Sequence, residues 1–178
     1  MPEYRRNRVA GGTYFFTVNL HDRNRCLLVE QIDDLRNAVR RVREVMPFHI
    51  DAWVVLPDHM HALWTLPEGD ASFARRWQAI KMAFSRRVVA GEAVSTSRRK
   101  RGERGIWQRR FWEHAIRDER DFGQHFDYIH FNPVKHGLVK EAAAWPFSSF
   151  HRAVAMGIYP ATWGGVVGGA DEGWGERG

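Results

Sequence analysis

The order of apolar periodicities along this chain predicts an α+β fold. Short runs of period-two alternation trade places with longer stretches whose apolar residues recur at helical spacing. Pro, Gly and Asn-Pro signals punctuate them. The 178 residues amount to one ordinary domain, long enough to bury a core.

The elements follow in order. "TYFFTVNLH" (13–21) is the first strand, with Phe16, Val18 and Leu20 on one face and Phe15, Thr17 and Asn19 on the other. "DDLRNAVRRVREVM" (33–46) is a helix: Leu35, Ala38, Val39, Val42 and Met46 form its stripe, Asp33 and Asp34 suit its N-terminal end, and Pro47 stops it. "FHIDAWVVL" (48–56) and "HMHALWTL" (59–66) are the second and third strands, joined in a hairpin by the Pro57-Asp58 turn. Residues 71–90 form a second helix, with Phe73, Trp77, Ile80, Phe84 and Val88 in one stripe. "GEAVSTSRRKRGERG" (91–105) reads as a mobile loop, "IWQRRFWEHAIR" (106–117) as a fourth strand, and "DERDFGQHFDYIHF" (118–131) as a third helix that Asn132-Pro133 breaks or caps. This β-α-β-β-α-β order followed by a helix is the split, ferredoxin-like arrangement. It places the first and third strands centrally, covers one face of the sheet with helices and leaves the other open. A single domain is expected over 1–156. Residues 157–178, with 8 glycines in 22 positions, read as a tail that is ordered at most through "YPATWG" (159–164).

Composition narrows the function. No apolar stretch is long enough to span a membrane, the first residues show no secretory pattern, and Cys26 is the sole cysteine, so a cytoplasmic protein is expected. The formal net charge is +6, but residues 75–110 alone carry +10. That concentration suggests a nucleic-acid partner. Arg75 with Arg86, and Arg76 with Arg87, stand eleven residues apart, about three helical turns, on a common face; Arg98, Arg99, Lys100 and Arg101 follow in a run. These are the candidate contacts to a nucleic-acid phosphate backbone, and a solvated helix surface is the plain alternative. Exposed aromatics such as Phe15 are candidates for stacking on unpaired bases.

The chemistry concentrates in "LPDHMHALWTL" (56–66) and "YIHFNPVKHG" (128–137). On a strand, His59 and His61 project from the same face, opposite Met60, Ala62 and Trp64. Two such imidazoles can hold a divalent metal, or simply hydrogen-bond within the sheet. On a helix, Gln124, Tyr128 and Asn132 share a polar face. A tyrosine there can act as nucleophile, or cap the edge of the core.

These stretches, with "YRRNRVAGGTYFFTVNLHDR", "RGIWQRRFWEHAIRDERDF" and "WPFSSFHR", occur in an order that resembles the REP-associated tyrosine transposases, relatives of the single-tyrosine insertion-sequence transposases. The resemblance runs from about residue 4 to residue 164. It implies a ferredoxin-like catalytic domain. His59 and His61, as the His-hydrophobic-His motif, would be metal ligands, with Asn132 at the position of a third ligand, and Tyr128 would be the nucleophile. His136 lies four residues further on, beyond Pro133, where a helix end would redirect it. The implied cofactor is Mg²⁺ or Mn²⁺. The implied reaction is transesterification of single-stranded DNA at REP-type hairpins through a 5′-phosphotyrosine. A catalytically inactive hairpin-binding protein is the alternative. The partners expected are DNA hairpins and no membrane, with the protein a monomer or a homodimer.

Overall fold

The computed structural model describes residues 6–165. Four antiparallel strands, β1 (Thr13–Asn19), β2 (His49–Val55), β3 (His59–Thr65) and β4 (Trp112–Ala115), lie in the order β2-β3-β1-β4. The first and third strands are central, as the sequence order predicts. β1 and β3 pair along their whole length, which sets Thr17 opposite His61 and Asn19 opposite His59.

On one face, Phe16, Val18, Met60, Ala62 and Trp64 meet the helices α2 (Ile32–Val45) and α3 (Phe73–Ser85). The predicted stripe of α3 is buried at every position from Phe73 to Val88, and Trp77 stacks on Trp64 with ring centroids 4.2 Å apart. Burying each such aromatic contributes roughly 3 kcal/mol. A short α1 (Leu27–Glu30) precedes α2, and α4 (Thr96–Lys100), capped by Ser95, interrupts the segment expected to be all loop. The fourth strand is shorter than expected. Ahead of Trp112 the chain makes only an isolated bridge, between Trp107 and Leu20.

The opposite face is not open. α5 (Glu119–Lys135) crosses it, setting Phe126 and Ile129 on Phe15, Ala52, Val54 and Leu63. α6 (Phe150–Ala155) and Tyr159 complete this second core, and Trp163 stacks on Tyr159 and Phe150. The strands required this cover. β3 is buried at six of its seven positions, so both its faces need a partner. Of the glycine-rich tail, residues 166–178 lie outside the described residues.

α5 does not stop at Asn132-Pro133. Pro133 sits inside the helix, which runs on to Lys135 and closes where Gly137 adopts φ 68°. There Leu138 N–H donates to the Pro133 carbonyl and Gly137 N–H to that of Val134, the glycine-closed end in which a left-handed residue lets the last carbonyls find donors. A proline this near the end removes one backbone bond without cutting the helix short.

Lys81 of α3 is a cation at the edge of the first core. Its Nζ donates to the Gln108 carbonyl at 3.1 Å, and burial, with Arg6 nearby, pushes its ammonium down to about 8. Between that value and the ordinary lysine value near 10.4, the unfolded chain binds the extra proton and the folded chain does not. This group's contribution to stability therefore rises with pH across that window, by about 3 kcal/mol in all. Against Lys81→Met, the parent should gain that amount between pH 7 and pH 11 in urea titrations. An unchanged difference at the two pH values would mean that burial does not hold Lys81 down.

Candidate active site

β3 carries His59 and His61 on the face that α5 covers. His61 is 1% exposed. Its Nδ1 is engaged by Thr17 Oγ1 at 2.9 Å, across the β1–β3 register, and its Nε2 has no partner among the described residues. His59 Nδ1 lies 2.7 Å from Asp58 Oδ1. A carboxylate only accepts, so this Nδ1 carries the proton and Nε2 keeps the lone pair. Arg23 pairs with Asp58 and donates to Asn19 Oδ1 at 3.0 Å, fixing the carboxylate in turn. Burial pushes His61 well below the ordinary imidazole range. It lowers His59 too, even against the hydrogen bond that His59 donates to Asp58. Burial alone would raise Asp58, but hydrogen bonds with His59 and Arg23 outweigh it and hold the carboxyl down. Both imidazoles are therefore neutral and capable of ligating at neutral pH.

The continued α5 supplies the other wall. Tyr128, Asn132 and His136 recur every four residues along one side. The Tyr128 ring stands 5.3 Å from that of His61, and the His136 ring 5.1 Å from that of His59. Between them Asn132 is fully buried, and neither of its amide atoms has a partner among the described residues. Lys135 Nζ lies 3.4 Å from the Tyr128 hydroxyl and 4.8 Å above its ring. Phe15 forms the floor, 5.5 Å from His61 and 5.9 Å from Tyr128. At 3% exposure it belongs to the second core and is no platform for bases.

The structure thus brings together His59, His61, Tyr128 and Asn132, the four residues singled out from the sequence. Sequence reasoning sets His136 aside and does not single out Lys135, Asp58, Thr17 or Arg23. His136 and Lys135 become legible once Gly137, not Pro133, is taken as the end of the helix. Asp58 was visible as the residue before His59.

The basic candidates fare differently. α3 packs on the opposite face of the sheet, so Arg75, Arg86 and Arg87 are exposed away from Tyr128. α3 stops at Ser85, and Arg86 and Arg87 leave from its end, not from a continuous helical face. Arg76 is not a surface residue at all. It is 2% exposed, pairs with Asp70 at 2.6 Å, and donates to Ser72 Oγ and to the carbonyls of Met46 and Pro47. Next to Trp77 in sequence, it falls on the buried side and fastens α3 to the end of α2. Arg98 is drawn inward to the Trp107 carbonyl, His21 and Glu103. Arg99, Lys100 and Arg101 remain exposed. Arg76→Ala should cost about 2–4 kcal/mol of stability, since it strands buried acceptors and half of an ion pair. Arg75→Ala should stay within about 0.5 kcal/mol. Equal effects in urea unfolding would contradict this division of roles.

No family model matches the chain. A REP-associated tyrosine transposase of Escherichia coli (strain K12) is 51% identical to it over 177 residues, 99% of this chain and 98% of that one. The chain belongs to the REP-associated tyrosine transposases. A related protein of Haemophilus influenzae is 47% identical over 166 residues, covering 93% of this chain and 94% of the relative. A solved structure of a REP-associated tyrosine transposase bound to a REP hairpin matches with TM-score 0.80 at 51% identity, covering 97% of each chain. This tyrosine transposase has, among its described residues, no helix long and apolar enough to cross a membrane.

Proposed function

We propose that this transposase nicks and rejoins single-stranded DNA at REP-type hairpins by transesterification at Tyr128. The reading rests on one observation. Tyr128 and two histidines about seventy residues earlier meet on one face, beside buried donor and acceptor atoms that have no partner among the described residues. Orphaned buried polar atoms are costly, so their persistence points to a ligand. His61 Nε2, His59 Nε2 and the Asn132 amide oxygen fit a divalent ion of the Mg²⁺ or Mn²⁺ kind, and His136 stands against His59 as a further imidazole. Such an ion supplies charge neutralisation for a phosphodiester.

The chain's own groups do the rest. The Tyr128 oxygen attacks phosphorus, the bond to the 3′-oxygen breaks, and a 3′-hydroxyl and a 5′-phosphotyrosine result. Attack by a 3′-hydroxyl reverses the step and joins strands. Lys135 sets a cation beside the attacking oxygen and the phosphate it meets. The hairpin seen on the 51%-identical relative supports a hairpin substrate. Because Tyr128 meets His61 within one chain, a monomer acting in cis suffices. Residues 1–156, together with Tyr159 and Trp163 of the segment that follows, serve as one catalytic domain, and the exposed Arg99, Lys100 and Arg101 are the remaining phosphate contacts of the 98–101 run. An inactive hairpin-binding protein has no use for the unpartnered atoms at the site.

The test is incubation with a labelled REP hairpin and Mn²⁺ or Mg²⁺. A denaturation-resistant adduct should form, and peptide mass spectrometry should place the phosphodiester on Tyr128. An adduct mapped to another residue, or cleavage by water alone, would overturn the assignment.

A further inference from the structure

A second cluster of metal-capable side chains lies outside that site: His114 on β4, Asp121 in the first turn of α5, and His125 one turn later. His114 Nε2 is 2.8 Å from Asp121 Oδ2, and His125 Nδ1 is 3.1 Å from Asp121 Oδ1; one ligand atom from each of the three residues lies within 4.8 Å of the other two. Ligand atoms bound at about 2.1 Å to one ion stand roughly 3.0–3.4 Å apart, depending on the angle between them. The nitrogen–oxygen separations are already close to that size. Asp121 is 4% exposed, and its Oδ2 also accepts the Arg117 N–H at 2.9 Å and Arg117 Nε at 3.3 Å. His125 Nδ1 also lies 2.8 Å from the Asp121 carbonyl. The two rings stack at 4.8 Å. Burial would raise Asp121, but hydrogen bonds from His114 and Arg117 hold it near about 2, and burial lowers His125. A cavity of about 300 Å³ lined by Arg117, Asp118, Arg120, Asp121 and Gln124 adjoins the cluster at Asp121.

We infer that His114, Asp121 and His125 form a second metal site, for a borderline divalent transition ion of the zinc class. Two imidazoles and one carboxylate suit such an ion better than Mg²⁺ or Ca²⁺, which prefer all-oxygen shells. The site ties a four-residue edge strand to the helix that carries the nucleophile, three residues before Tyr128. Its influence reaches the site through Phe15, whose ring lies 4.7 Å from that of His125 and 5.9 Å from that of Tyr128. A filled site would fix the register of α5 on the sheet.

The test uses the full chain carrying His59→Ala and His61→Ala, so that it does not depend on the proposed catalytic metal. Metal-stripped protein should take up one Zn²⁺ per chain, and its melting temperature should rise with Zn²⁺ and not with Mg²⁺. Adding His125→Gln should abolish the uptake. The unsubstituted protein gives a second readout: imidazole ¹⁵N resonances of His114 and His125 should shift on addition of Zn²⁺. No uptake by the double variant, uptake unaffected by His125→Gln, or unmoved His114 and His125 resonances would each overturn the inference. None of these outcomes bears on the Tyr128 adduct.

Discussion

Tyr128→Phe should abolish the covalent protein–DNA adduct, with cleavage reduced by at least about 10⁴-fold, as for loss of a nucleophile that acts as a unit with its neighbours. The protein should otherwise be intact. The phenyl ring keeps its contacts with His61 and Phe15 and its place beneath the Lys135 ammonium. The change removes the hydroxyl, including its 3.4 Å contact with Lys135, at a cost of about 1 kcal/mol. Hairpin affinity, measured by fluorescence anisotropy in fixed salt, should change less than twofold or so, because phosphate contacts set it and no charge is removed. The discriminating outcome is residual cleavage. If Tyr128→Phe still cuts the hairpin at a rate near the parent's, the two histidines activate water, and the chemistry is that of a phosphoesterase.

The sequence made the sheet legible for a definite reason. Period two puts Phe16 and Val18 of β1 and Met60, Ala62 and Trp64 of β3 on one face, so the side on which His59 and His61 project follows from it, while the central place of both strands follows from the order of the elements. The second layer was harder. Phe126 and Ile129 are only two residues, and whether they cover a sheet or a solvent edge depends on where α5 lies, which no local pattern specifies. Pro133 misled in a similar way. As a local signal it ends a helix, yet a proline in the last turn loses a single bond, and Gly137 is the true stop. That difference of one turn decides whether His136 joins His59. Arg76 shows the limit of charge patterning. Two arginines three turns apart look like a basic stripe, and only the packing of Trp77 against Trp64 shows that the one beside it faces inward.

Replacing His61 should separate stability from function. In the metal-free protein its Nε2 is a buried polar atom without a partner, a feature that costs about 1–3 kcal/mol. His61→Leu removes that atom and fills a similar volume between Phe15 and Tyr128, at the loss of one hydrogen bond with Thr17, whose hydroxyl is half-buried and can turn to water. The metal-free variant should therefore unfold at the same or a higher urea midpoint than the parent. Its Mn²⁺ affinity, read from the free-ion signal in electron paramagnetic resonance, should fall by more than about 100-fold, and adduct formation with it. Asp58→Asn should act more mildly. It keeps a hydrogen-bond acceptor beside His59 but removes the charge that fixes the ring, so metal affinity should fall about 10–100-fold while the ligands remain. A site kept for structure alone predicts the reverse order: His61→Leu would destabilise the fold, and neither change would alter Mn²⁺ binding. The two readings differ in sign on stability and in direction on affinity, so one pair of variants decides between them.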